Sequence, residues 1–410
     1  MSQLKGNAVV GQSGGPTAAI NASLAGVIRG VLANPDAIPA LYGMKNGIEG
    51  FLAGDCVSLL PLFSDETKLR HLEQTPAAAL GSCRKKLPDP AKDRAFFDGL
   101  IEKFREMDIR YFFYIGGNDS MDTVAKLSAY LETVDYEMQV VGIPKTIDND
   151  LADTDHTPGF GSAAKYVAVT LSEIVRDCAV YRVPAVTVVE IMGRDAGWLT
   201  ASAALPGAIS GEGVDLIYLP ERPFTFEQFT EDLREAFKRH PNLVVAISEG
   251  IRSPEGRYIG EGAQSGAADA FGHKYLAGAG KVLEQFVKET FGCKVRSFEL
   301  SLPQRCAAHL ASETDLCEAS LLGSSGVQAA VEGKSGVMAA LERVSDEPYK
   351  CSVVLRPVGK IANAIRKVPD EYINAAGNGI TTAGIAYLLP LIRGERVVEY
   401  RDGLPIHVII

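Results

Sequence analysis

Gln139-Val-Val-Gly-Ile-Pro-Lys-Thr-Ile-Asp-Asn-Asp150 sets a short apolar run directly against a knot of charge. Residues 139–143 read as a buried strand, and Lys145, Asp148 and Asp150 follow within six residues. Charges this close to a core are costly unless they are paired or used. A lysine beside an aspartate suits phosphoryl transfer: the cation offsets charge on the migrating group, and the carboxylate accepts the proton of an attacking hydroxyl. A solvated loop with a local Lys–Asp pair is the plainer alternative, and the stretch alone leaves both open.

Outward from this segment, β-branched and aromatic runs alternate with helical spacing. Strands are expected at 7–11, 109–115, 139–143, 183–191, 216–219 and 242–248, and helices at 18–32, 120–131, 161–178 and 225–240. The last helix opens with Thr225 and Gln228 in capping-box spacing. Such alternation predicts mostly parallel sheets covered by helices on both faces, with ligands at the carboxyl ends of the strands. Residues 253–280 are rich in Gly and Ala and read as irregular. The tail reads as a hairpin: residues 397–400, an Asp402-Gly403 turn, then 406–410, with Pro405 marking an edge.

Two glycine turns sit where that architecture puts ligands. Gly11-Gln-Ser-Gly-Gly-Pro16 joins the first strand to a helix, and Ile115-Gly-Gly-Asn-Asp-Ser120 repeats the arrangement after the second. Backbone N–H groups at a helix N-terminus cradle phosphate without a cationic side chain. Neither turn is a dinucleotide fingerprint or a Walker A loop. Asp119 lies where a metal-bound phosphate would sit, and Ser120 is placed to cap the helix.

Composition narrows the classes. The chain has 410 residues, 46% hydrophobic and 22% charged, as expected of a packed globular protein of two or three domains. Its net charge of −10 makes nucleic acid and anionic membranes poor partners, so an anionic ligand must be held by local groups. Seven cysteines without C-x-x-C spacing read as reduced thiols, and the N-terminus shows no signal-peptide pattern; a cytoplasmic protein is expected.

Six segments in order then resemble one family: SGGP at 13–16, GGND at 116–119, PKTIDND at 144–150, PGFGSAAKY at 158–166, MGRDAGWL at 192–199 and SEG at 248–250. The chain resembles the 6-phosphofructokinases, and among them the pyrophosphate-dependent branch. The resemblance implies two three-layer α/β/α domains with mostly parallel sheets and the active site in the cleft between them. A pyrophosphate (donor) domain would comprise residues 1–160 plus about 310–410, and a sugar-phosphate domain about 161–309. The implied reaction is reversible phosphoryl transfer from pyrophosphate to the C1 hydroxyl of fructose 6-phosphate, a step of glycolysis and gluconeogenesis. Mg²⁺ is the implied cofactor, and a homodimer or homotetramer the implied assembly.

Carried over by residue, Asp148 would be the base, assisted by Lys145, Asp119 and Arg194. Thr146, Ile147, Asp150, Met192, Gly193, Arg194, Glu249, Arg296, Leu302 and Arg305 would bind the sugar phosphate. Gly14, Gly15, Arg84, Gly117 and Lys145 would bind the donor, and Asn118, Asp119 and Asp150 the metal. Asn118 stands where most relatives carry Asp, Ala185 where they carry a phosphate-binding Arg (Arg182 lies nearby), and Leu302 where many carry His or Tyr. In the family, ATP users generally have glycine at the positions of Lys145 and Asp119. A fixed cation at Lys145 compensates for the absent adenosine, and Asp119 would repel the α-phosphate of ATP by about 1–4 kcal/mol. An ATP-dependent phosphofructokinase, an NAD or lipid kinase of the GGDG type, and a non-catalytic regulatory subunit are the rival readings. MGRDAG and SEG argue against the second, and the presence of Lys145 and Asp148 against the third.

Overall fold

Runs of Val, Ile, Phe and Tyr too continuous for one-sided exposure become strands covered on both faces. The computed structural model describes residues 4–261, 278–361 and 364–410. Its strands are β1 Asn7–Gln12, β2 Leu41–Met44, β3 Cys56–Ser58, β4 Ile109–Gly116 and β5 Gln139–Pro144, then β6 Ala185–Ile191, β7 Leu216–Tyr218, β8 Asn242–Ser248 and β9 Lys294–Glu299. The hairpin β10 Val337–Asp346 with β11 Tyr349–Pro357 follows, and the short pair β12 Tyr400–Arg401 and β13 Leu404–Pro405 closes the chain.

They form two main sheets. The first has the order β11-β10-β5-β4-β1-β2-β3, parallel except at its outer pairs. The second, β7-β8-β6-β9, is wholly parallel. In β4, Tyr111, Phe113 and Ile115 enter one core while Phe112 and Tyr114 enter the other, the period-two alternation of a strand buried on both sides. Helices Ile20–Leu32 and Glu313–Val331 cover one face of the first sheet. Helix Phe160–Ala179 leads to the second sheet and packs with Trp198, Tyr387 and Leu391. The chain leaves β1 toward β2 on one side, while β4 lies on the other. The crevice between β1 and β4 is therefore the switch point at which such sheets bind ligands.

Several expectations need amendment. The tail hairpin turns at Asp402-Gly403, but only Tyr400↔Pro405 and Arg401↔Leu404 pair, so residues 406–410 are not a strand. They lie instead against the first sheet's core, with Val408 donating its N–H to Thr75 Oγ1 at 2.8 Å. Thr225 caps its helix through Gln228 N, yet the Gln228 side chain turns forward to Asp232, so only half of the capping box forms. Helix Asn118–Leu131 begins two residues before Ser120, which therefore does not cap it. Of the stretch 253–280 expected to be irregular, 262–277 lies outside the described residues, and helix Ala279–Phe291 begins before its end.

Candidate active site

The carboxyl ends of β1, β4 and β5 deliver the three sequence motifs to one crevice. After β1 the chain turns through Gly14, whose φ of 76° is reached without strain only by glycine. The turn is fixed from its far side, where Gly14 N donates to Cys83 O at 3.0 Å and Ser82 Oγ to Gly14 O at 2.7 Å. Arg84 follows directly and lies near enough to this loop to act on the charge of Lys145 beneath it. After β5, Lys145 is 2% exposed and spans the floor of the same loop. Its Nζ donates to Ser13 O at 3.0 Å and Gly15 O at 2.5 Å. Burial pushes the ammonium down to about 7; Asp148 opposes that shift, while Arg84 and Arg305 reinforce it. A Cβ on Gly15 would lie 3.7 Å from an Arg305 guanidinium nitrogen, so Arg305 stands against the Gly14-Gly15 loop itself.

Asp148 lies two residues past Thr146, whose hydroxyl accepts from Asp148 N at 3.1 Å and faces Asp148 Oδ2 at 3.4 Å. The carboxylate is half-buried. Burial raises its pKa, partly offset by Thr146, Lys145 and Arg194. Asp150 is pushed up to about 7 by burial and by the charge of Asp148. Asn118 Nδ2 donates to Asp150 Oδ2 at 3.3 Å, while Asn118 Oδ1 is buried with no hydrogen-bond donor. The Asp150 carboxylate and the unsatisfied amide oxygen of the neighbouring Asn118 are hard oxygen donors of the kind Mg²⁺ takes. Asp119 occupies the first turn of its helix, where the dipole favours an anion, and it pairs with Lys86 at 3.1 Å.

The second sheet supplies the opposite wall. Gly193 N donates to Glu249 Oε1 at 3.2 Å, and Ser248 Oγ donates to Gly193 O. Burial pushes Glu249 up to about 8. A Cβ on Gly250 would fall 2.0 Å from Arg194 O, so the SEG and MGR turns touch backbone to backbone and only glycine fits between them. Met192 N donates to Gln304 at 3.2 Å, which ties the wall to the short helix Pro303–Cys306 carrying Arg305.

Not every expected residue arrives. Arg296 pairs in register with Thr187, four residues before the end of β6, and so stands roughly 13 Å back along the strand from the cleft. It lines an outer hollow with Cys178, Tyr181 and Thr187. Arg182 is exposed beside that hollow. Leu302 is 54% exposed, and Ile147 is buried among core residues, leaving only its backbone to meet a ligand. Two features went unread in the sequence: the Lys86–Asp119 pair, and the Arg366–Tyr387 cluster behind the catalytic loop. A basic Arg84-Lys-Lys86 run after a glycine was a usable signal for the first.

Among the described residues, Asp155, His156 and Cys351 also come within metal-ligand spacing of one another. Both imidazole nitrogens of His156 are already engaged, Nδ1 by Asp155 at 2.8 Å and Nε2 by Glu318 at 2.6 Å. Arg343 joins Asp155 at 3.0 Å, so two cations balance two carboxylates and the cluster is electrically complete without an ion.

Comparison with known proteins agrees with this geometry. A family model described as Phosphofructokinase matches residues 7–330. A pyrophosphate–fructose 6-phosphate 1-phosphotransferase of Methylococcus capsulatus is 42% identical over 98% of this chain and 95% of its own length. One from Xanthomonas campestris pv. campestris is 41% identical over 98% and 96%. The crystal structure of a pyrophosphate-dependent phosphofructokinase from Nitrosospira multiformis superposes with a TM-score of 0.88 at 37% identity, covering 98% of this chain and 96% of that one. Six motifs in order, their convergence on one cleft and near full-length matches lead to one assignment: the chain belongs to the phosphofructokinase family.

Proposed function

We propose that the protein transfers a phosphoryl group reversibly from pyrophosphate to the C1 hydroxyl of fructose 6-phosphate, giving fructose 1,6-bisphosphate and orthophosphate. The observation that carries this reading is the buried Lys145 ammonium, pinned beneath the Gly14-Gly15 loop three residues from Asp148. Pyrophosphate has no nucleoside to anchor it, and a fixed cation under the donor loop supplies binding that ATP draws from adenosine. The names of the full-length relatives point the same way.

The residues divide the work by position. Asp148 accepts the proton of the C1 hydroxyl as that oxygen attacks the nearer phosphorus. Lys145, with Arg84 and Arg305 beside the same loop, offsets charge on the transferred group and on the departing phosphate. Arg194 faces Asp148 from the second sheet, and Glu249 accepts hydrogen bonds from sugar hydroxyls. Asn118 Oδ1 and the Asp150 carboxylate would hold Mg²⁺, with Asp119 adjoining. When bound, the ion neutralises phosphate charge and orients the donor.

Residues 1–160 with 310–410 are the donor half and 161–309 the sugar half in this reading, although 368–391 also packs into the core beneath the second sheet. Arg296, set back from its own cleft, serves the 6-phosphate of a second copy in a homodimer or homotetramer. The seven free thiols fit a reducing, cytoplasmic setting and a role in glycolysis and gluconeogenesis. Among the described residues no helix is long and apolar enough to cross a membrane. The test is Asp148→Asn with fructose 6-phosphate, pyrophosphate and Mg²⁺. Turnover should fall by orders of magnitude with sugar-phosphate binding retained; a near-normal rate would remove Asp148 as the base.

A further inference from the structure

The loop that carries Asp148 is unusual for a catalytic segment in having few backbone partners of its own. Between Thr146 and Thr157 it makes no strand or helix, and Asn149 is held at φ 55°, a left-handed conformation that costs a non-glycine residue energy. Something must over-determine it. Asn149 Oδ1 accepts from Thr157 N at 3.1 Å, which closes the loop at its base. Glu318 and Leu341 hold the loop's far end through His156, Thr154 and Asp155, and the other restraints on Asn149 itself come from more than 200 positions away in sequence.

Arg366 lies beneath the loop. Its guanidinium donates to Asn149 O at 3.3 Å from both Nε and Nη2, to Thr154 O at 3.2 Å, and to Asp155 O. Its own N–H donates to Asp150 O at 2.7 Å. Three to four donors of one arginine therefore saturate the carbonyls on either side of the catalytic turn, a task suited to its rigid fork. Tyr387 completes the bracket. Its hydroxyl accepts from Asn149 Nδ2 and from Arg366 Nη2, each at 3.0 Å, and donates to Asp155 O at 2.7 Å.

The same arginine reaches the other wall of the cleft. Its guanidinium stacks 4.5 Å from the ring centroid of Trp198, and Trp198 Nε1 donates to Arg366 O at 3.0 Å. Trp198 ends the MGRDAGW turn that carries Arg194. Two residues along, Val368 N shares the Glu221 carboxylate with Gly197 N, at 3.0 and 2.9 Å. One short C-terminal segment, beyond the 7–330 span of the family model, thus grips both the base-bearing loop and the sugar-side turn.

We propose that Arg366 and Tyr387 are positioning residues that lock the Asp148 loop against the Arg194 turn in the geometry of phosphoryl transfer. The proposal rests on the reading of Asp148 as the base. A displacement of about 1 Å in such a group costs up to ~100-fold in rate, whereas the donor loop, held by Lys145 and Cys83, does not depend on the bracket. The bracket therefore acts on kcat and leaves pyrophosphate binding alone.

Tyr387→Phe removes one oxygen and three hydrogen bonds while keeping the ring. Its kcat should fall about 10-fold or more, with KM for pyrophosphate within about threefold of the parent. Arg366→Ala should fall further and regain rate on addition of guanidinium, which Arg366→Lys should not match. A kcat for Tyr387→Phe within twofold of the parent overturns the proposal. So does a parallel loss of thermal stability and pyrophosphate affinity, which marks a general scaffold. Should Arg366→Ala fail to fold, Tyr387→Phe alone decides. Asp148→Asn, measured alongside, separates the two claims: if it keeps its rate, the base assignment fails; if it is inactive and Tyr387→Phe is normal, only the bracket fails.

Discussion

Lys145 is a charge placed where charge is expensive, and its chemistry follows from that. Burial pushes the Lys145 ammonium down to about 7, so its charge is sensitive to pH in the ordinary range. Its binding contribution is present below that value and is lost as pH rises through it, because the lysine pKa is depressed and the charged form is the one that attracts pyrophosphate. The kcat/KM for pyrophosphate should therefore decline as pH rises through about 7, and Lys145→Arg, which keeps its charge, should lack that limb in a pH–rate profile. The raised pKa of Asp148 should place the acidic limb above the range of an ordinary carboxylate. In the proposed reading Asp119, paired with Lys86, governs donor selectivity by repulsion. Removing its charge with Asp119→Gly should raise kcat/KM for ATP by about one to three decades, from ~1–4 kcal/mol of relieved repulsion. Competition of the two donors on one preparation measures it. These residues were legible in the sequence because each stands in a short motif directly after a strand. Arg296 was not placed by the sequence in the same way: a resemblance identifies a residue type, but the register of β9 on β6 sets it back from the turns of its own chain.

Elements behind the cleft hold it through buried polar contacts. His156 lies between Asp155 and Glu318, joining the catalytic loop to helix Glu313–Val331. Burial opposes its charge, but Glu318 and Asp155 outweigh burial and push it up to about 9. A histidine whose pKa is raised on folding contributes stability that is fully present below its unfolded value of about 6.5 and is lost as pH climbs through the folded one. Thermal midpoints should thus fall between about pH 6.5 and 9, and His156→Gln should flatten that slope while lowering the midpoint at pH 6. None of this could be read from periodicity. The strands β1 and β4 to β8 and the helices that follow β1, β4, β5 and β7 announce themselves by spacing, whereas β2, β3 and the helices Gly47–Ala53, Glu66–Glu73 and Arg94–Glu106 between β1 and β4 were not read. By contrast, 365–391 mixes short helical turns and core residues with irregular backbone, and Arg366 at its start satisfies carbonyls of a loop distant in sequence. The half-formed capping box at Thr225 shows the same limit: Gln228 has the right spacing, but Asp232 offers its side chain a nearer partner.

At the scale of the molecule, the mainly parallel first sheet and the wholly parallel second sheet bring the Asp148 loop close to the MGR and SEG turns that carry Arg194 and Glu249. Strand–helix alternation was enough to expect that arrangement; the antiparallel β10–β11 hairpin that extends the first sheet was not foreseen. In the proposed reading Arg296 serves a neighbouring copy, so that a site is complete only in an oligomer. Mixing the inactive variants Arg296→Ala and Asp148→Asn should restore activity to about a quarter of the parent's in a twofold dimer, since each mixed dimer rebuilds one intact site. Assays before and after subunit exchange read that recovery, and its absence would return Arg296 to a structural role. The central claim is the identity of the phosphoryl donor, and initial rates with fructose 6-phosphate and Mg²⁺ test it most directly. With pyrophosphate the enzyme should turn over readily, and with ATP its kcat/KM should be lower by at least about tenfold; equal or better turnover with ATP would contradict the account.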